Sequence, residues 1–150
     1  MYKDRLMKTT IALFLFALTM MAQTPPKGAT NHNVNQNNIK TTICVAGWTA
    51  TVRPSSSIMA KQKQQEADKL RIKDITSGEW DHLISLELGG HPNSPDNLWF
   101  QPYLPKPGAR EKDVVESYLH RQVCSGSMTL LDAQKAITKD WVVIYNKIKK

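Results

Sequence analysis

The chain has 150 residues, 41% of them hydrophobic, a length and composition that suit one globular domain with one core and not a disordered chain. Lysine and arginine outnumber aspartate and glutamate by 20 to 13, for a formal net charge of +7. Such a basic surface attracts polyanions, nucleic acid and anionic lipid among them.

The first 22 residues have the pattern of a secretory signal peptide. Lys3, Arg5 and Lys8 precede the apolar run "TTIALFLFALTMMA", and "QTPPKG" ends it. We expect cleavage after Ala22 and export to the bacterial periplasm or the medium. A membrane anchor is the alternative, but the run is shorter than the roughly 20 residues of a spanning helix. No stable membrane span is expected after cleavage.

The next two segments differ in composition. Residues 23–40 are rich in Asn, Gln, Thr and Pro, which predicts a flexible leader without a core. The segment "TTICVAGWTATV", from Thr41 to Val52, is rich in β-branched residues and predicts a strand, bent at Gly47.

The middle of the chain predicts a helix and then two strands. "SSIMAKQKQQEADKLRIKDI" has the spacing of a polar-faced helix. "EWDHLISLEL", from Glu79 to Leu88, alternates as a strand does, with Asp81 and His82 on opposite faces. Gly89 and Gly90 permit a tight reversal, "HPNSPDN" is a loop, and "NLWF" is a short second strand.

Two helices complete the prediction. The first runs from about Ala109 to Val123 and ends near Gly126. At 100° per residue one of its faces, which can turn toward the Asp-His strand, carries Ala109, Lys112, Asp113, Glu116 and His120. The last helix begins after the capping residue Thr129 and has the apolar spacing of core packing.

These elements predict an α+β fold, with residues 41–150 as a single domain. Cys44 and Cys124 form an even pair, which favours one disulfide in an oxidising compartment, with two buried thiols as the alternative. Closing a loop of that length would stabilise the fold by roughly 4 kcal/mol in the chain-entropy model.

The segment from about Glu79 to His120 resembles the HNH family of nucleases. Their ββα-metal motif opens with Asp-His, has Asn in the middle and closes on a helix, as do Asp81-His82, Asn97 and "EKDVVESYLH" here. "DHLISLELGG" followed by "NLW" is also similar to a group of small bacterial HNH-type proteins. The resemblance implies a hairpin-plus-helix core, here with an additional N-terminal strand, flanking helices and a C-terminal helix.

The resemblance also implies roles for the residues. His82 would be the general base, Asp81 a metal ligand, and Asn97 would orient His82 or brace the loop. A histidine with a pKa near neutrality suits proton removal from water, and a divalent cation suits charge stabilisation on phosphate. The cation would be Mg²⁺, Mn²⁺, Ni²⁺ or Zn²⁺.

The closing helix departs from the family pattern. A third His or Asn ligand is expected in its first turn, where this chain has Ala109, Arg110, Glu111 and Lys112. Asp113, Glu116 and His120 are the candidates for a displaced ligand. Lys106, Arg110 and Lys112 are candidates for contact with a phosphate backbone.

The sequence therefore predicts an exported, metal-dependent endonuclease that acts on nucleic acid, DNA foremost, with little sequence specificity. The alternative is a non-catalytic envelope protein on the same scaffold that binds a polyanion or a protein partner. A third interpretation is a toxin-like effector nuclease, which would need an immunity or inhibitor protein as its partner.

Overall fold

The computed structural model describes residues 24–150, so the predicted signal peptide lies outside the described residues. The helices are α1 (Trp48–Val52), α2 (Ser56–Lys69), α3 (Ala109–Ser125) and α4 (Leu130–Ile148). The strands are β1 (Gly78–His82) and β2 (Leu98–Pro102). Short 3-10 turns lie at Ile39–Thr41, Ile75–Ser77 and Leu86–Leu88. No helix of the described residues is both long and apolar enough to cross a membrane.

The architecture is α+β, as predicted: an antiparallel hairpin followed by two helices, with a helix before it. In the hairpin Asp81 pairs with Trp99 and His82 with Leu98. Helix α2 contacts both strands, while α3 contacts β1 and packs along α4. The apolar stripe of α3, Val115, Leu119 and Val123, is buried against Ala133 and Ile137 of α4. The core therefore lies beside the hairpin and holds α3 in a fixed position against it.

The predicted N-terminal strand over Thr41–Val52 is wrong. This segment forms turns and the short helix α1, and Gly47 has the left-handed φ of 80° that breaks an extended run. Its threonines satisfy carbonyls within these turns: Thr42 Oγ1 donates to Asn38 O at 2.8 Å and Thr51 Oγ1 to Trp48 O at 2.7 Å. Threonine side chains offer the backbone this local alternative to a sheet ladder.

The prediction of a coreless leader over residues 23–40 is also wrong for most of that segment. Val34 and Ile39 are buried in the main core. Asn31 N donates to Gly89 O at 2.8 Å, and Thr30 forms a bridge with Gly90. These two apolar residues and the backbone bonds together attach the segment, and Gly28 N donates to Asp96 O, so the folded unit begins near residue 28.

The first strand of the hairpin, predicted over Glu79–Leu88, is shorter than predicted. Strand β1 ends at His82, the chain bends, and Leu86–Leu88 is a 3-10 turn ending at Gly89, whose φ is 70°. Beyond the bend the Asn97 side chain bonds the backbone of Ile84 in place of a partner strand. The alternation from Leu83 onward reflects a buried turn and not a sheet, because residues 83–86 are all buried.

Helix α2 begins at Ser56 as predicted but ends at Lys69, six residues before the end of the predicted segment, and Arg71 there has a left-handed φ of 55°. The last two helices follow the sequence more closely. The observed α3 extends two residues beyond its predicted end, and Gly126 ends it with φ of 82°. Thr129 Oγ1 accepts from Asp132 N at 3.1 Å at the start of α4. Cys44 and Cys124 form the predicted disulfide. The bond joins the turn before α1, rather than a strand, to the end of α3.

Candidate functional site

Asp81 and His82 both line one surface cavity of about 180 Å³. Alternation would place their side chains on opposite faces of a flat strand. His82 is the last residue of β1, where the chain leaves the sheet, so strict strand alternation no longer fixes the direction of its side chain. The other lining residues come from the segment after α1, from the hairpin, from the bend after it and from α3: Arg53, Glu79, Trp80, Ser85, Leu86, Asp113 and Glu116.

The His82 ring is 3% exposed and is held by one hydrogen bond. Its Nε2 lies 3.0 Å from the carbonyl oxygen of Pro92. A carbonyl oxygen can only accept, so Nε2 carries the proton and the neutral ring has its lone pair on Nδ1. Burial lowers the pKa of His82, against the opposing effects of the Pro92 carbonyl and Asp81. The ring is therefore neutral at neutral pH and able to accept a proton.

Asn97 braces the loop that holds His82. Its side chain is fully buried, accepts from Ile84 N at 2.9 Å, and donates to Ile84 O at 3.0 Å and to His91 O at 3.1 Å. It has no hydrogen bond to His82 and does not line the cavity. Of its two predicted roles the contacts support the brace, so the assignment of Asn97 as a catalytic group is corrected to a positioning one.

The charged side chain of Lys112 lies inside the protein and not at its surface. Its side chain is fully buried, and Nζ donates to Asp81 Oδ2 at 2.8 Å, to the carbonyl of His82 at 2.7 Å and to Glu116 Oε1. Burial alone would lower the pKa of Lys112, but Glu116 and Asp81 outweigh it and raise that pKa. All three ammonium hydrogens are engaged, so the predicted phosphate contact of Lys112 is wrong.

The carboxylates around the cavity carry an excess of negative charge. Burial, and then the neighbouring Asp81 and Asp113 carboxylates, raise the pKa of Glu79. Burial and Asp81 likewise raise the pKa of Asp113. Burial also raises the pKa of Glu116, but the Lys112 ammonium in contact with it opposes this shift and keeps Glu116 a carboxylate. Like charges close together disfavour ionisation, and a cation would relieve this repulsion.

His120 lies away from these residues. Its Nε2 is 2.8 Å from the carbonyl of Ile43 and 3.3 Å from Cys124 Sγ, and its Nδ1 is 3.8 Å from Glu87 Oε2. Four residues along a helix from Glu116 amounts to about 6 Å of rise, which takes His120 past the cavity to the disulfide. The structure thus gathers Asp81, Asp113 and Glu116 but not His120.

The two remaining basic candidates lie outside the cavity lining. Lys106 Nζ pairs with Glu111 Oε1 at 3.1 Å and is 72% exposed, while the exposed Arg110 lies over the Tyr103 ring at 4.7 Å. No sequence pattern indicated that Arg53 would line the cavity. Ser85 was also missed, although its place three residues after His82 could have indicated it.

No protein-family model, curated protein or solved structure matches this chain. The likeness to HNH nucleases therefore remains a prediction from the motif.

Proposed function

We propose that this protein is an exported HNH-type endonuclease that hydrolyses phosphodiester bonds in nucleic acid, DNA foremost, with little sequence specificity. The observation that carries the proposal is the buried, neutral His82 ring, fixed through Nε2 and lining a carboxylate-rich cavity. A base of this kind accepts a proton from water as the water attacks phosphorus. Hydrolysis leaves a phosphate monoester on one product and a hydroxyl on the other.

The donor set fits a hard, partly hydrated divalent cation. Mg²⁺ and Mn²⁺ prefer carboxylate oxygens, and Mg²⁺ commonly keeps several waters while one or two carboxylates hold it. Asp81 and Asp113 are the residues that would hold such an ion, since Glu116 is already hydrogen-bonded to the Lys112 ammonium. Ser85, which is 5% exposed, lines the same cavity, and its hydroxyl has no hydrogen-bond partner among residues 24–150. When bound, the ion would offset charge on the phosphate and on the leaving oxygen.

Zn²⁺ fits these residues less well than Mg²⁺ or Mn²⁺. Zinc in proteins is usually held by three or four protein ligands that include His or Cys. Among residues 24–150, three His, Cys or acidic ligand atoms converge only at Cys44, His120 and Cys124, where the two sulfurs are bonded to each other. We therefore expect activity with Mg²⁺ or Mn²⁺ and weaker or no activity with Zn²⁺.

The chain's own residues have distinct parts in this proposal. His82 takes the proton from water, and the Pro92 carbonyl keeps its ring in the required tautomer. Lys112 fixes one oxygen of Asp81. Arg53, exposed at the cavity, is the cation of this chain best placed to meet a phosphate oxygen. Arg110 and Lys106 would contact the nucleic-acid strand farther from the cavity.

The test is plasmid nicking by the oxidised protein that lacks its first 22 residues, with Mg²⁺, Mn²⁺, Ni²⁺ or Zn²⁺ and with EDTA. His82→Ala should lower the rate at least about 100-fold, the usual contribution of a general base. His32→Ala changes an exposed histidine and is the matched control. Equal nicking by His82→Ala would contradict the proposal, and discrete fragments from one long DNA would contradict the low specificity.

One observation favours the alternative of a non-catalytic protein. Lys112, a residue of the first turn where the family has its third ligand, is buried among acceptors that a metal would otherwise use. The acidic cavity would then suit a basic segment of a protein partner better than a polyanion. No cleavage of DNA or RNA with any of the four metals would make this the preferred function.

A further inference from the structure

The Lys112 ammonium occupies a position that has the surroundings of a metal ion. It lies among a carboxylate oxygen of Asp81, the backbone carbonyl of His82 and a carboxylate oxygen of Glu116. These oxygens come from the end of β1 and from the second turn of α3, the two elements that frame the cavity. Oxygen atoms of this kind are the ligands that hard divalent cations choose.

The Lys112 ammonium is fully enclosed at this position and fully hydrogen-bonded. The Lys112 side chain has no exposure, and its three N–H groups meet three acceptors. A buried cation is tolerated only when it is paired and hydrogen-bonded, and here the pairing is complete. The contact between β1 and α3 therefore contains a positive charge that the protein itself supplies.

We propose that Lys112 is a built-in cation that takes the place of a divalent ion between Asp81 and Glu116. It keeps Glu116 out of any metal coordination and restricts an added ion to the outer oxygens of the cavity, those of Asp81 and Asp113. The inference deepens the proposed function because it concerns the same site. Its test measures ion binding and not strand cleavage, so the two proposals can fail separately.

The proposal makes an unusual prediction about the removal of a positive charge. Methionine is uncharged and one heavy atom shorter than lysine, so Lys112→Met removes the ammonium that lies between the Asp81 and Glu116 carboxylates. A divalent ion would then gain Glu116 as a ligand and lose the repulsion of the ammonium. If Lys112 served only as a packing element, its loss would weaken the binding of the ion or leave it unchanged.

The experiment compares Mn²⁺ binding to the oxidised wild-type protein and its variants, by calorimetry and by the electron paramagnetic resonance of free Mn²⁺. Lys112→Met should bind Mn²⁺ at least about tenfold more tightly than wild type. Lys63→Met is the matched control, because the Lys63 ammonium is bonded to the carbonyl of Gly78 and does not contact these carboxylates. Its Mn²⁺ affinity should equal that of wild type.

Glu116→Gln provides the second half of the test. In the wild-type background it should leave Mn²⁺ affinity within about twofold, and in the Lys112→Met background it should remove most of the gain. Equal or weaker binding by a folded Lys112→Met variant would overturn the proposal. So would a tenfold loss on Glu116→Gln alone, because Glu116 would then already be a ligand.

Folding of Lys112→Met gives a third readout, followed by circular dichroism. A variant that is unfolded in EDTA and folds when millimolar Mn²⁺ is added supports the proposal, since the ion then replaces the ammonium. A variant that stays unfolded with Mn²⁺ refutes it, because the freed carboxylates would then not form a cation site.

Discussion

At the scale of single residues, the tautomer and charge of His82 decide whether it can act as a base. The Nε2–Pro92 contact and the burial of the ring both favour a neutral ring with its proton on Nε2. In EDTA, the nitrogen-15 spectrum of His82 should show this tautomer, and its titration should give a pKa below the ordinary 6.5. A pKa at or above 6.5 would contradict the burial argument.

The same shift sets the sign of a contribution to stability. The folded-state pKa of His82 lies below the unfolded value, so the proton binds the unfolded chain more tightly. The stability that the neutral ring provides is therefore fully present above about pH 6.5 and is lost as the pH falls through the folded-state pKa. Urea unfolding in EDTA should show this loss in wild type and a smaller one in His82→Phe.

The hydrogen bonds of the Asn97 side chain predict how much stability is lost when that residue is replaced. Asn97→Ala leaves the N–H and C=O of Ile84 and the C=O of His91 without their partner. Each buried unsatisfied group costs about 1–3 kcal/mol, so we expect a loss of at least about 3 kcal/mol in the free energy of unfolding. Asn93→Ala, at an exposed position of the same loop, should change it by less than about 0.5 kcal/mol.

At the scale of elements, the bend after β1 has a strict requirement for glycine at position 90. A Cβ on Gly90 would collide with the backbone carbonyl of Ile84. Gly90→Ala should therefore cost about 3 kcal/mol or more, because backbone must move. In the part of the chain that the structure describes, a Cβ on Gly126 would meet no atom within 4 Å, so Gly126→Ala carries only the strain of a left-handed φ, about 1–2 kcal/mol. Equal urea midpoints for the two variants would contradict this prediction.

Elements with strong local patterns were predictable from sequence, and those fixed by distant contacts were not. The helices α2, α3 and α4 and the strand β2 follow from periodicity and from caps such as Thr129. The segment 83–88 alternates like a strand, but Asn97, 13 residues after Ile84, gives it a different partner. The Thr41–Val52 composition favoured a strand, yet Gly47 and local threonine bonds settle it as turns and a helix.

The candidate site was predictable in the same uneven way. Helical spacing correctly placed Lys112, Asp113 and Glu116 on the face toward Asp81. Spacing cannot tell which charged side chain is buried, so Lys112 was assigned to phosphate when its partners are carboxylates. Arg53 reaches the cavity only through the path of the chain after α1, and no local pattern reports that path.

At the scale of the whole molecule, the Cys44–Cys124 bond closes a loop with a sequence separation of 80. Replacing both cysteines by serine should lower the free energy of unfolding by roughly 4 kcal/mol, chiefly by releasing the unfolded chain. Urea unfolding of the oxidised protein and of the double variant measures this. A loss below about 1 kcal/mol would mean that the unfolded chain is already restricted there.

The pairing of the N-terminal segment with much later residues has a consequence for synthesis. Asn31 bonds to Gly89, Gln36 to Leu130 and Lys40 to Cys124, so the earliest described residues wait for partners made roughly 60 to 95 positions later. At about 5–20 residues per second a ribosome needs several seconds to supply them. During that interval the emerging segment can form only local turns, such as the one in which Thr42 bonds to Asn38, and it gains the last of these partners only when α4 begins to emerge.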